Sequence, residues 1–483
     1  MTPAYRITRL DGGDEDFAPG AYILYWMIAA RRPRANFALQ RAVELAARAR
    51  LPLVVFEPLR VGYAHASDRF HRFAIEGMVD HADHFAAHGV RYVPYVERQE
   101  GEGKGMLEAL AARAAAVVTD DYPCFFLPRM VAAAAERLDR PFEAVDGNGL
   151  YPMRDTDRHF TRAHSFRRHL QKRLPAFLGD QPLPDPLAAY EGGLADIDDA
   201  IGERWPIADA SFLREPDLSD LPIDHAVRPA KEKGGFLAAE AKMKGFFDAR
   251  FSRYADGRNH PDDTAASGLS PWLHWGHLGA HEVFAAIVER EEWTVENLGK
   301  VNGSREGWWG MGGAAEAFLD ELITWREVGF NACVNLPAYD RYESLPDWAR
   351  KTLSEHAEDD RPELYEIDAL ENAETGDDIW NAAQRQLTRE GRIHNYLRML
   401  WGKKILQWSR SAEVAAERMV YLNDKYALDG RDPNSYSGIY WVLGRYDRAW
   451  GPERPIFGKI RYMTSDSTRR KLKLRDYLEA YSA

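Results

Sequence analysis

Five short apolar runs, separated by amphipathic stretches, fill the first 150 residues and leave few folds open to them. The runs are Ala21–Met27 (AYILYWM), Leu51–Phe56 (LPLVVF), Val90–Val96, Ala116–Thr119 and Phe142–Val145. Runs this short read as strands. Between them, Asn36–Arg48, Phe73–His88, Gly105–Ala115 and Met130–Leu138 read as helices. Strand and helix alternate at the spacing of parallel crossovers, which predicts an α/β, Rossmann-like domain: an open parallel sheet with helices on both faces. A ligand of such a sheet is expected near the carboxyl ends of the strands. No glycine-rich dinucleotide fingerprint follows the first strand, which argues against a standard nicotinamide site.

The pattern breaks after Leu178. Gly179–Asp224 is rich in Pro, Asp and Gly, as expected of an interdomain linker, and from Ala230 the periodicity is helical almost to the end. The expected division is an α/β domain over 1–178, a linker over 179–229 and an all-α domain over 230–483. Asn297–Gly313 (NLGKVNGSREGWWGMGG) interrupts the helical part. Apolar content of 45% and charged content of 29% are those of a soluble globular protein, and no run approaches a membrane span. The N-terminus lacks a signal-peptide build, and the two cysteines, Cys124 and Cys333, form no disulfide framework or Cys/His ligand spacing. A cytoplasmic, metal-free protein is expected. Net charge is −12, but Arg454, Lys459, Arg461, Arg469, Arg470, Lys471, Lys473 and Arg475 cluster against Asp466 alone. With Phe457 and Tyr462 interleaved, that run reads either as a solvated tail or as a phosphate-tracking surface.

Three local patterns carry chemistry. Trp401 and Trp408 lie seven apart on a helical pattern and share a face, which is either core or a path for single electrons. Ser267 and Ser270 precede a helical Trp272–Val283, giving either an ordinary cap or hydroxyls and N–H groups for a phosphate. Glu321 stands four residues before Trp325, on one helical face: a surface charge, or one wall of a polar–aromatic pocket.

The order of these motifs resembles that of the photolyase/cryptochrome flavoproteins, most closely the class II cyclobutane pyrimidine dimer photolyases. The resemblance covers nearly the whole chain. In the first domain it rests on Tyr25-Trp-Met, Asn36-Phe-Ala-Leu, Val118-Thr-Asp and Val145-Asp-Gly-Asn. From Tyr254 onward it rests on Ser267-Gly-Leu-Ser270-Pro-Trp-Leu-His274-Trp-Gly, on Phe318-Leu-Asp-Glu321-Leu-Ile-Thr-Trp325-Arg-Glu, and on the series from Trp380 to Met463.

The resemblance implies light-dependent splitting of pyrimidine dimers in UV-damaged DNA by reduced FAD. It implies that Tyr254, Ser267, Leu269 and Ser270 line the FAD diphosphate, that Arg398 and Asp429 form an ion pair against the ring, and that Asn423 faces flavin N5. Trp325 and Trp441 would grip the dimer, Glu321 would hydrogen-bond its carbonyl-and-imide edge, and Arg258 and Arg461 would line the same mouth. Trp401, then Trp380, then Trp408 at the surface would carry electrons that reduce the flavin in light. The protein is expected to be a monomer; its antenna chromophore, deazaflavin or folate or neither, is not specified. Four positions depart from the family pattern: Gly376, His277, Glu282 and Ala266. A cryptochrome-like photoreceptor is the alternative from another class. Against it stand Asn423, where plant cryptochromes carry an acid, and the lack of a long low-complexity C-terminal extension. Repair of the (6-4) photoproduct, which usually goes with a histidine pair in the lesion pocket, ranks last.

Overall fold

The computed structural model describes residues 1–13 and 16–483, in two compact units. The first comprises Met1–Asp155, Ala176–Lys242 and Leu269–Arg290; the second comprises Thr156–Pro175, Met243–Gly268 and Glu291–Ala483.

The five expected strands form β2 (Tyr22–Trp26), β3 (Leu53–Leu59), β4 (Arg91–Val96), β5 (Ala114–Asp120) and β6 (Phe142–Val145) of one six-stranded sheet, ordered β1-β6-β5-β2-β3-β4. These five pair in parallel, and β1 (Ile7–Arg9), which sequence reasoning missed, adds an antiparallel edge on β6. Alternate residues of β2 serve opposite faces. Tyr22, Leu24 and Trp26 join a core with Met106, Leu110 and Phe142, while Ile23 and Tyr25 join another with Phe37, Leu45 and Phe85. Burial on both faces is the physical reason these strands carry so little charge.

The helices α1 (Phe37–Ala49), α2 (Asp68–Ala87), α3 (Met106–Ala111) and α4 (Leu127–Ala135) fill the crossovers. Asn36 caps α1: its carbonyl oxygen accepts from the N–H of Ala38 and Leu39 at 2.9 and 3.1 Å. The helix expected over 105–115 stops at Ala111, because the alanines from Ala114 are drawn into β5. At the carboxyl ends of β2 and β5, Asp120 accepts from the backbone N–H of Ile28, Ala29 and Ala30 at 2.9, 2.7 and 3.0 Å. The protein's own carboxylate therefore fills a nest of N–H groups that would otherwise bind an anion. Residues 176–242 are tied to this unit, with Trp205 Nε1 donating to the Glu102 carbonyl at 3.0 Å. The helix expected over 272–283 is broken into Ser270–Trp275 and Ala280–Arg290 by Gly276. That glycine has φ +75°, and a Cβ there would meet the Ala29 carbonyl oxygen at 1.7 Å.

The second unit is helical. Its principal helices are Ala163–Arg173 (α5), Gly313–Leu319, Arg326–Asn335, Asp378–Glu390, Asn395–Trp408, Ala412–Tyr426 and Pro433–Val442. Side-chain caps start three of them: Asp377 accepts from Trp380 N–H, Ser411 from Val414 N–H and Asp432 from Ser435 N–H. The irregular Asn297–Gly313 segment is folded over buried Trp308 and Trp309, whose rings meet edge-on at 4.7 Å.

Candidate active site

The helices Gly313–Leu319 and Arg326–Asn335 are joined by a single π-helical turn, Asp320–Trp325. π-Turns are rare and recur at functional sites, because bonding from i to i+5 widens the backbone and re-aims side chains. Within this turn Leu322, Ile323 and Thr324 are buried, whereas Glu321 and Trp325 remain partly exposed. The two residues expected on one face of an α-helix are thus presented together by a widened turn instead. Arg258 Nη1 donates to Glu321 Oε1 at 2.8 Å and to the Ala317 carbonyl at 3.2 Å, and its guanidinium lies 5.3 Å over the Tyr254 ring. Lost hydration pushes the Glu321 carboxyl above the usual carboxylate range; Arg258 partly offsets this, and neighbouring Asp320 adds to it. The Tyr254 hydroxyl is pushed well up by burial and then by Glu321. Tyr254 packs edge-on against Phe318 at 5.0 Å.

Trp441 sits near the end of its helix, with the Arg461 guanidinium and the Lys403 Nζ each 5.4 Å from its ring. Lys403 is buried, its ammonium donates to the Val442 carbonyl, and burial pushes its pKa down to about 7. Sequence reasoning passed over Lys403, since nothing in Gly402-Lys403-Lys404 says which lysine turns inward. Arg461 lies 4.2 Å over Trp450 and 3.5 Å from Asp447. The basic C-terminal run is partly neutralised: Arg469 pairs with Asp378 at 2.6 Å, Lys473 with Asp263 at 3.1 Å and Lys459 with Glu453 at 3.1 Å.

The expected flavin residues divide into two groups. Asn423 is buried and donates from Nδ2 to Asp424 Oδ1 and to Ser435 Oγ, both at 3.0 Å. Both amide hydrogens are thereby spent, and the carbonyl oxygen, an acceptor, is what it can offer a ligand. Arg398 reaches Asp429 through one nitrogen only, at 3.3 and 3.5 Å, leaving the rest of its donor fork for a negatively charged group. An acceptor for a ring N–H and an incompletely spent guanidinium fit a reduced flavin. Asp432, next to Asp429, is pushed up to about 7 by burial first and by the Asp429 charge second. In the other group, Arg250 donates to the Ala266 and Ser267 carbonyls. Leu269 is buried and occupies the N-cap position of the following helix, and Ser270 is its exposed first residue. The N-cap residue itself carries no hydroxyl.

The indoles follow one another closely. Trp401 Nε1 donates to Gln384 Oε1 at 2.9 Å, Trp380 Nε1 donates to the Trp401 carbonyl at 3.0 Å, and the Trp380 and Trp408 rings lie 5.5 Å apart. Trp408 was expected at the surface, but it is 1% exposed. Tyr365, partly exposed, packs edge-on against it at 5.1 Å and accepts from the Gly376 N–H at 2.9 Å. The departure at Gly376 therefore stands beside an aromatic side chain that sequence reasoning missed. His277 is buried, accepts from the Gly235 N–H at 2.9 Å and is held well below the usual histidine pKa by burial. Glu282 accepts from the Gly279 N–H at 2.6 Å.

Among the described residues, His84 and His88, four apart on α2, join Asp185 in one grouping able to hold a metal ion. His88 Nε2 lies 3.6 Å from Asp185 Oδ2. No helix among the described residues is long and apolar enough to cross a membrane.

No family model matches the chain. The deoxyribodipyrimidine photo-lyase of Methanothermobacter thermautotrophicus is 32% identical over 480 residues, covering 99% of this chain and 98% of that protein. Those of Potorous tridactylus and of rice, Oryza sativa subsp. japonica, are each 32% identical, over 94% and 95% of this chain and 80% and 87% of their own lengths. A crystal structure of a bacterial class III photolyase from Agrobacterium tumefaciens shares the fold, with a TM-score of 0.68 over 96% of this chain and 87% of that one, at 17% identity. Similarity of this degree along the full length of both chains leaves one assignment: the chain belongs to the deoxyribodipyrimidine photo-lyase family.

Proposed function

We propose that this chain splits cyclobutane pyrimidine dimers in UV-damaged DNA in a light-dependent reaction with bound, reduced FAD, and that it stands near the class II branch. The observation that carries the reading is the joint presentation of Glu321 and Trp325 by one π-turn, with Arg258 bonded to the carboxyl. When bound, reduced FAD supplies a single electron to the dimer on illumination.

The residues of this chain do the rest. Taking a dimer out of the duplex costs a few kcal/mol, and stacking on Trp325 and Trp441 returns roughly 1–3 kcal/mol per base. Arg461 holds positive charge against the Trp441 ring and, with Arg258, favours the polyanion, whereas Lys403, its pKa lowered to about 7, is only partly protonated near neutral pH. Glu321 keeps its proton to a higher pH than an ordinary glutamate, so its O–H can meet a thymine carbonyl as negative charge develops there. Its protonated fraction falls as pH rises through that raised pKa. Asn423 and Arg398–Asp429 hold the isoalloxazine ring, and Tyr254, Ser267, Leu269 and Ser270 hold the diphosphate. Trp401, Trp380 and Trp408, extended by Tyr365, form the route by which the flavin is kept reduced. The first unit acts as the antenna-type domain and the second carries the dimer residues and the indole series, in a cytoplasmic monomer. The test is loss of thymine dimers from a UV-irradiated oligonucleotide by purified, reduced protein. Loss in light with none in a dark control is expected, and equal outcomes in light and dark would refute the reading.

A further inference from the structure

The π-turn that presents Glu321 and Trp325 begins with Asp320, a carboxylate that the proposed reaction does not use. Asp320 is buried and meets Arg167 of α5 in a two-pronged ion pair, Nε to Oδ1 at 2.7 Å and Nη2 to Oδ2 at 3.0 Å. The same guanidinium reaches the Gly303 carbonyl at 3.5 Å through Nη1. One turn further along α5, Gln171 accepts from the N–H of Asn302 and Gly303 at 3.0 and 2.7 Å and donates to the Ser304 carbonyl at 3.0 Å. Gly303 has φ +79°, and a Cβ there would lie 2.8 Å from His164 Nε2 and 3.3 Å from Arg168 Cβ, so the segment is seated directly on α5. α5 thus seats the unusual 297–313 segment along His164, Arg167 and Gln171, and the same Arg167 holds the catalytic turn through Asp320.

We propose that Arg167 is a positioning residue for dimer repair: through Asp320 it fixes the π-turn that carries Glu321 and Trp325, and it ties that turn to the 297–313 segment. A fork–fork Arg–carboxylate pair specifies orientation as well as charge. Such a clamp suits a turn whose widened backbone must hold two side chains toward one ligand. The assignment rests on the proposed roles of Glu321 and Trp325. The charged and titratable groups that act on Glu321 are Arg258, Tyr254, Asp320 and Arg167. Asp320 favours its protonated form and Arg167 its ionised form.

The two members of the pair therefore have opposite signatures, which a merely structural role would not produce. The experiment is the pH profile of repair yield per absorbed photon, with saturating dimer-containing oligonucleotide, for D320N, R167Q and R167K. D320N should move the midpoint to lower pH, since a charge that holds the proton on Glu321 is gone. R167Q should move it to higher pH. R167K keeps the charge but not the fork, and should lower the yield at an unmoved midpoint. Flavin content and flavin photoreduction should match wild type in all three. Midpoints that move together, or not at all, with flavin intact would overturn the proposal. If wild-type protein repairs nothing, the proposed function fails, and hydrogen exchange then decides this inference by itself. R167Q should raise exchange at amides 302–304 and 320–325 together; loosening of one segment without the other would refute the tie.

Discussion

β2 in the first unit and the turn Asp320–Trp325 in the second are both short and largely buried, but opposite forces hold them. β2 is Tyr-Ile-Leu-Tyr-Trp, wholly buried, with its backbone satisfied by β3 and β5. At Ile23 and Leu24 any apolar residue of similar size would serve, because burial is non-directional and scales with area; only Tyr22 and Tyr25 add a directed bond, to the Leu110 carbonyl and to Asp120. The turn instead starts with two acids side by side, and each needs its own arginine, Arg167 for Asp320 and Arg258 for Glu321. Exchanging Asp320 or Arg167 is not neutral, since removing one member of a buried pair leaves a charge without compensation. The scaffold tolerates substitution by kind; the site tolerates it only by partner.

The largest separation of the two regions is expected within the second unit. Trp401→Phe should abolish flavin photoreduction while protein reduced beforehand still repairs; equal loss of both, followed by flavin absorbance and dimer assay, would remove the indole series from the mechanism. Next in size is Leu24→Ala, fully buried in β2, which should cost about 2–5 kcal/mol of stability. Dimer affinity per folded molecule should stay unchanged, and urea unfolding with a binding assay on the same sample checks both. Trp325→Ala reverses that pattern. It should weaken binding of dimer-containing DNA by roughly 1–3 kcal/mol, with the unfolding midpoint little moved because the ring is only partly buried. A drop in stability with intact affinity would show that Trp325 belongs to the scaffold.

A pH-dependent test concerns Asp432, whose folded pKa of about 7 lies above its ordinary 3.8. A carboxyl raised on folding binds more protons in the native state, so its ionisation opposes folding. That opposition is absent near pH 4 and grows until about pH 7. Asparagine caps a helix as well as aspartate does. Asp432→Asn in flavin-free protein should therefore be more stable than wild type at pH 8 and equal to it near pH 4 in urea unfolding.

The two regions were unequally legible. β2 through β6 stood out because five apolar runs separated by amphipathic helices admit few other packings. β1 did not, because three residues carry no period and Ile7–Arg9 is a strand only by pairing with β6. In the second unit the residue types were visible as motifs, whereas their partners were not. Arg167 lies far from Asp320 in the chain, Lys403 looks like its neighbour Lys404, and Tyr365 gives no sign of covering Trp408. The error over Trp408 has the same source, since a heptad spacing assigns a face but not what covers it.

The amino-acid order by itself determined the parallel sheet and the helical remainder. It also determined which residue types stand where the family's chemistry needs them, because hydrophobic period and motif spacing are local properties. Tertiary structure alone decided that Glu321 and Trp325 share a π-turn, that Asp320 is clamped by Arg167, that Trp441 lies beside Arg461 and Lys403 and that Trp408 is buried. Each of these depends on a charge or a ring brought from elsewhere in the chain, and a buried charge keeps its place only where folding supplies its partner.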